Sequence, residues 1–265
     1  MKPVINSNTL AFETFGDPAK PAVVFIHGFP FNKKMWQPQI DALKNDYHVI
    51  IYDVRGHGES EVGDGQYTIE LFVDDLIGLL DYIQLKTVVL VGLSMGGYIA
   101  LRAMERHPER IRALVLCDTK SEPDANENKI RRAQQMQSIK EKGLKPFTEG
   151  FLKAVFYEKT FQTNVLAVEI IRNIILSNSV AGISGALLAL AARTDTTSSL
   201  ANIKVPTLVL VGDHDPLTPY ASSRTLKEHI RNSELHIIPD AAHMSNLENV
   251  DEFNKHLLAF LKKVN

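Results

Sequence analysis

Leu90-Val91-Gly92-Leu93-Ser94-Met95-Gly96-Gly97 decides how the rest of this chain is read. A β-branched run, 87–91, precedes the turn residues, and a helix-favouring run, 98–106, follows them. The stretch reads as strand, sharp turn and helix, with Ser94 at the tip. Gly92 and Gly96 flank the serine at G-x-S-x-G spacing. A serine on so tight a turn needs close backbone approach on both sides, where a Cβ would clash. The turn lifts the Ser94 hydroxyl above a sheet. It also aims the Met95 N–H, at a helix N-terminus, toward the place where an oxyanion would form. A glycine-rich turn with an incidental serine shows the same five residues. The strand before and the helix after are what mark a nucleophile.

Outward from this turn the chain alternates. Residues 22–26, 48–52, 111–117, 207–211 and 234–238 are short apolar runs of the kind buried on both faces of a parallel sheet. Between them, 35–44, 69–82 behind an N-capping Thr68, 220–230 and 246–264 carry helical spacing. Residues 3–5 and 9–15 flank Asn6-Ser7-Asn8 as a hairpin. The fold class is therefore α/β, a mostly parallel central sheet with helices on both faces. The alternation stops between about 119 and 200, where 126–142, 147–156, 166–176 and 179–193 read as helices. The expected organisation is a core of residues 1–118 and 201–265, with a helical cap, 119–200, inserted before the last two strands.

Composition narrows the function classes. The chain has 265 residues, 45% hydrophobic and 23% charged, enough for a large core. A net charge of −2 supplies no basic footprint for nucleic acid and no polybasic membrane patch. The one cysteine, Cys117, excludes an intrachain disulfide framework and reads as a small core residue. The first eight residues lack the apolar run of a signal peptide, and the longest nearly apolar stretch, 180–192, is too short to span a bilayer. The expectation is a cytoplasmic protein whose partner is a small molecule, not nucleic acid or membrane.

A serine alone is a poor nucleophile; it needs a base, and the base needs an orienting acid. In an open parallel sheet such residues gather just beyond the C-terminal ends of strands. After the run ending at Val211 come Asp213 and Asp215. Asp215 is preferred because it lies further out and Pro216 removes a competing donor. Asp213, close to the strand end, suits local backbone hydrogen bonds. Asp118 is a third candidate. The base is expected to be His243, the one histidine of the final loop, with small residues before it. His27 and His57 read as structural hydrogen-bonders, with His27 nearer the site. Two donors are needed for an oxyanion. Met95 N–H is one. Phe29 N–H, in His27-Gly28-Phe29-Pro30, is the other, since Pro30 has no N–H to compete.

The ordered set of His27-Gly28-Phe29-Pro30, Asp53-x-Arg55-Gly56-His57-Gly58-x-Ser60, Gly92-Leu93-Ser94-Met95-Gly96-Gly97, Gly212-x-x-Asp215 and His243 resembles the α/β-hydrolase superfamily across nearly the whole chain. The order Ser, Asp, His matches as well. Within the superfamily the chain is similar to the branch of small carboxylesterases, enol-lactonases and cofactor-free haloperoxidase-like perhydrolases. Ser94 departs from haloalkane dehalogenases and epoxide hydrolases, which carry an aspartate there. The resemblance implies a cofactor-free, metal-free serine hydrolase of a carboxylic ester or lactone, acting through Ser94, Asp215 and His243 with Phe29 and Met95 at the oxyanion. A small-molecule receptor of the same fold and a perhydrolase share these residues and stand as alternatives. Phe29, Phe31, Met95, Phe147, Phe151, Phe156 and the helix bearing Ile183, Leu187, Leu188 and Leu190 could wall the pocket, and at least half of these side chains are expected instead to form the packing seam of the cap. Arg193 is read either as a partner of Asp195 or as a carboxylate binder.

Overall fold

A computed structural model describes residues 1–264. A short hairpin opens the chain: β1 (Val4–Ile5) pairs antiparallel with β2 (Asn8–Thr9). Asn6 and Ser7 form its two-residue turn at φ 48° and 58°, the double left-handed geometry that suits the twist of a tight hairpin. The expected single strand 9–15 is interrupted. Leu10 N–H donates to Pro3 and Ala11 N–H to Ser60 Oγ, so pairing with the main sheet begins at β3 (Phe12–Phe15).

The elements then follow as β4 (Ala22–Ile26), α1 (Gln37–Leu43), β5 (His48–Tyr52), α2 (Ile69–Tyr82), β6 (Val88–Leu93), α3 (Met95–Arg106) and β7 (Ile111–Cys117). After five helices the sheet resumes with β8 (Thr207–Gly212), α9 (Tyr220–His229) and β9 (Ser233–Ile238), and the chain ends in α10 (Ser245–Glu248) and α11 (Val250–Lys263). Two expected helices are divided. Residues 35–44 begin as a 3₁₀ turn, Lys33–Trp36, capped by the Asn32 side chain. The terminal helix breaks at Asn249, whose side chain caps α11. Elsewhere the signals hold: the Thr68 side chain accepts from Leu71 N–H and starts α2.

The main sheet has seven strands in the order β3-β5-β4-β6-β7-β8-β9, parallel except for β3. Its strands alternate between two cores. Val24, Ile26 and Leu90 face a layer with α2 and α3, and Val23, Phe25, Val89 and Val91 face one with α1 and α11. Helices on both sides explain why these strands read as unbroken apolar runs. Each such side chain, fully buried, favours folding by about 1.5–3 kcal/mol. Trp36 packs on Phe25 with ring centroids 4.9 Å apart, and Cys117 is buried, so both are core residues.

Between β7 and β8 run α4 (Asn126–Lys142), α5 (Leu144–Val155), α6 (Thr160–Thr163), α7 (Val165–Leu176) and α8 (Val180–Ala192). β7 and β8 pair directly, so this helical segment leaves the sheet and returns to it. It is fastened to loops at the strand ends. Asn178 accepts from Gly58 N–H and donates to Pro30 O, both at 2.8 Å. α8 lies close enough that a Cβ on Gly182 would stand 2.0 Å from Gly56 O. Among the described residues no single helix is long and apolar enough to cross a membrane.

Candidate active site

Ser94 stands between the end of β6 and the start of α3 at φ 54°, ψ −112°. A non-glycine residue there is strained, and the surroundings hold it. Its N–H donates to Cys117 O, and its own carbonyl accepts from Gly97 N–H and Thr119 Oγ1. The flanking glycines are required by space: a Cβ on Gly92 would lie 2.3 Å from Gly96 O, and one on Gly96 would lie 2.1 Å from Ile26 O. The turn can form only where both neighbours lack side chains.

Asp215 sits in the loop after β8, and His243 in the loop after β9. The His243 Nδ1 and Asp215 Oδ2 atoms are 2.8 Å apart, in a pair that is almost wholly buried. Asp215 also accepts from Leu217 N–H, Thr218 N–H and Thr218 Oγ1, the last at 2.6 Å. Burial alone would raise its pKa. The imidazole of His243 and the Thr218 donors overcome that and hold the carboxyl at about 2. Burial likewise pushes His243 down, but Asp215 more than compensates, and the imidazole pKa is raised above 6.5. With Nδ1 held by the carboxylate, Nε2 is the nitrogen left for proton transfer.

The two other aspartates are engaged elsewhere. Asp213 accepts from Asp240 and Ala241 N–H groups, bracing the His243 loop rather than turning its own. Asp118, fully buried, accepts from Gly212 N–H and Ser245 Oγ and makes no hydrogen bond to His243. Burial and then the Asp215 charge raise its carboxyl well above the usual range.

Ser94 and His243 line one cavity of about 300 Å³, together with Phe29, Tyr98, Phe151, Leu190 and Thr218. Among the described residues no hydrogen bond joins Ser94 Oγ to the His243 imidazole; the two side chains share the cavity wall. Phe29 occupies a tight turn in which Phe31 N–H donates to Gly28 O at 2.9 Å. Neither the Phe29 N–H nor the Met95 N–H has a protein acceptor among the described residues.

The candidate wall residues divide between cavity and packing seam. The Met95 side chain, Ile183 and Leu187 are core, Phe31 packs behind Phe151, and Phe156 packs on Phe161. Leu188 is 45% exposed. His27 does not line the cavity. It is fully buried, its Nε2 accepts from Val54 N–H, and burial lowers its pKa to about 4. The Asp53-to-Ser60 motif is also structural: Asp53 pairs with buried Lys33, and Arg55 with Asp75. Arg193 pairs with Asp124 at 2.8 Å rather than with Asp195, and lies over the Tyr98 ring.

Sequence reasoning missed a cationic rim. Lys120, Arg131 and Arg132 line the cavity with Asp124. Arg132 and Arg193 take the Asp124 carboxylate, while Lys120 and Arg131 have no carboxylate within ion-pair distance among the described residues. Nothing local marks Arg131 and Arg132 as cavity residues, because α4 brings them there, whereas Lys120 follows closely on the end of β7. Glu248 was missed too. It accepts from Ala242 N–H beside the histidine and from Tyr157 N–H beyond α5, and His243 N–H donates to Val155 O. The histidine loop is thereby tied to the inserted helices.

Comparison with known proteins agrees with this architecture. Residues 21–250 match the family model described as the alpha/beta hydrolase fold, and the chain belongs to that family. It is 33% identical over 260 residues to 3-oxoadipate enol-lactonase 2 of Acinetobacter baylyi, covering 97% of this chain and 94% of that protein. A thermophilic esterase from Thermogutta terrifontis, solved with malate bound, superposes with a TM-score of 0.95 at 34% identity, covering 100% of this chain and 98% of that one. The enol-lactonase from Burkholderia xenovorans gives 0.93 at 29% identity, covering 99% and 100%.

Proposed function

We propose that the protein is a serine hydrolase of carboxylic esters or lactones, with Ser94 as nucleophile, His243 as base and Asp215 as orienting acid. The observation that carries this reading is the buried 2.8 Å His243–Asp215 pair in the cavity where the strained Ser94 turn opens. Enol-lactonase and esterase relatives of nearly full length support it. His243 Nε2 takes the Ser94 proton as Oγ attacks the acyl carbon. The Phe29 and Met95 N–H groups hold the oxyanion. His243 then protonates the leaving alcohol, and water repeats the two steps on the acyl-enzyme, releasing the acid and restoring Ser94. The helices of 119–200 act as the cap that walls the cavity.

The substrate carries a carboxylate. Lys120 and Arg131 line the cavity and make no ion pair among the described residues, so an anion there gains two attractions without breaking a direct pair, although Asp124 and Glu122 lie near enough to act on Lys120. The names of relatives that act on 3-oxoadipate enol-lactone or hold malate are consistent with such a rim. The test is turnover of p-nitrophenyl acetate beside the mono-p-nitrophenyl ester of succinate, with Ser94→Ala as control. The variant should lose about 10⁴-fold or more in kcat. A preference for the acidic ester should shrink as salt is raised. A near-normal rate in the variant would sink the serine assignment, and a salt-independent preference would sink the carboxylate.

A further inference from the structure

The cavity does not end at Phe151. Gln135, Phe151 and Ala154 also form the near end of a second recess of about 330 Å³, which continues between α4 and α5 past Ser138, Phe147 and Gly150. Positions 147, 150, 151 and 154 share one face of α5, and 135, 138 and 142 share one face of α4. The recess is thus a groove running along both helices for about 12 Å, eight residues at the helical rise.

Its floor is aromatic and packs against the Phe29 turn beside the first cavity. Phe29, at the turn expected to hold the oxyanion, meets Phe151 edge-on at 5.9 Å and Phe147 at 6.2 Å, and those two rings stack at 5.4 Å. An alkyl chain starting at an acyl carbon near Ser94 would pass over Phe151 and then Phe147, with the Lys142 side chain lining the recess from α4.

Gly150 is the second observation. It lies inside α5 without a positive φ, and a Cβ built there meets nothing within 4 Å. Neither backbone geometry nor crowding calls for glycine, and a glycine inside a helix is unfavourable relative to alanine. What its missing side chain leaves is width in the groove.

We propose that the groove between α4 and α5 holds the alkyl chain of the substrate's acyl group. This inference rests on the serine-hydrolase reading and adds a length preference to it. The cationic rim at Lys120 and Arg131 takes polar substituents, and the Phe147–Phe151 floor takes the apolar chain. Each methylene that leaves water here raises kcat/KM by up to about fourfold.

The test is Gly150→Leu. The new side chain enters open space and favours the helix, so folding is preserved, and a melting curve checks this. With p-nitrophenyl acetate, butyrate and octanoate, the wild-type octanoate-to-acetate ratio of kcat/KM should fall at least tenfold in the variant, with Gly150→Ala between. An unchanged ratio, or an equal loss on every ester, overturns the proposal. A second readout needs no turnover: octanoate should raise the melting temperature of Ser94→Ala, and the rise should vanish in Ser94→Ala/Gly150→Leu. A wild type inactive on every ester sinks the hydrolase reading and leaves the groove to be judged by that shift. A rise that persists in the double variant overturns the groove.

Discussion

Two buried carboxylates stand at the ends of adjacent strands, Asp118 after β7 and Asp215 after β8, and their pKa values are shifted in opposite directions. Burial is nearly the same, 0% and 5% exposed. Asp215 has an imidazole and three Thr218 and Leu217 donors, and its pKa drops to about 2. Asp118 has a single backbone N–H and a hydroxyl, and its pKa rises. Burial pushes both carboxyls up, and the partners that favour the charge decide which of the two shifts is reversed. The largest test of this contrast is Asp215→Asn. It should lower kcat about 10³- to 10⁴-fold, because an amide neither fixes the tautomer nor stabilises the imidazolium. The stability cost carries a sign as well. Asp215, with its lowered pKa, contributes stability that is present above 3.8 and lost as pH falls toward about 2. His243, with its raised pKa, contributes stability that is present below 6.5 and lost as pH rises through its folded value. Urea titrations should therefore show the variant most destabilised near pH 5, and less so at pH 9. A kcat within tenfold of wild type would transfer the acid's role away from Asp215.

How much of this could be read beforehand depends on how local each interaction is. The Ser94 turn was legible from its glycine spacing: Gly92 is demanded by the local contact with Gly96, while Gly96 is demanded by Ile26 on a neighbouring strand. Asp215 and His243 were legible from loop position. Thr218 was not singled out, although an aspartate whose Oδ1 accepts from the N–H three residues on is a recognisable turn. The partner of Arg193 was not legible because the near aspartate, Asp195, accepts from Thr197 N–H, while Asp124 arrives from the far end of the insertion. Which apolar side chains wall the cavity and which form the packing seam was not legible, for a related reason. Helical spacing marks which side chains are buried, and most of α8 is buried against the core instead of the cavity.

Thr218 gives a sharper, smaller test of the same contrast. Thr218→Val keeps the shape and the N–H but removes the hydroxyl donor to Asp215 Oδ2. A hydrogen bond to a charged group is worth about 1.5–3 kcal/mol, so kcat should fall roughly tenfold. The carboxylate, relieved of one donor, becomes more basic and holds the imidazolium more strongly. Because catalysis needs neutral His243, the rise of kcat/KM with pH should move to higher pH. An unmoved profile would reduce Thr218 to a turn residue.

The smallest effect on rate belongs to Asp118→Asn, and it separates the two acids most directly. Asn Oδ1 can accept from Gly212 N–H, and its amide can donate to Ser245 Oγ, which turns from donor to acceptor, so both contacts survive and only the Ser245 hydroxyl proton loses its acceptor. Asp118 makes no hydrogen bond to His243, and kcat should change by only a few-fold. Its charge raises the His243 pKa, so the activity profile should move slightly to lower pH. Stability should respond in the opposite sense to Asp215→Asn. The folded Asp118 has a raised pKa, so above 3.8 the unfolded chain ionises while the folded one resists, and stability falls as pH climbs toward the folded value. The asparagine has nothing to ionise. From pH 4 to 7 the variant's stability should decline less than that of the wild type, and near neutrality it should equal or exceed it. A loss of 10³-fold in kcat, with Asp215→Asn nearly active, would exchange the roles of the two strands.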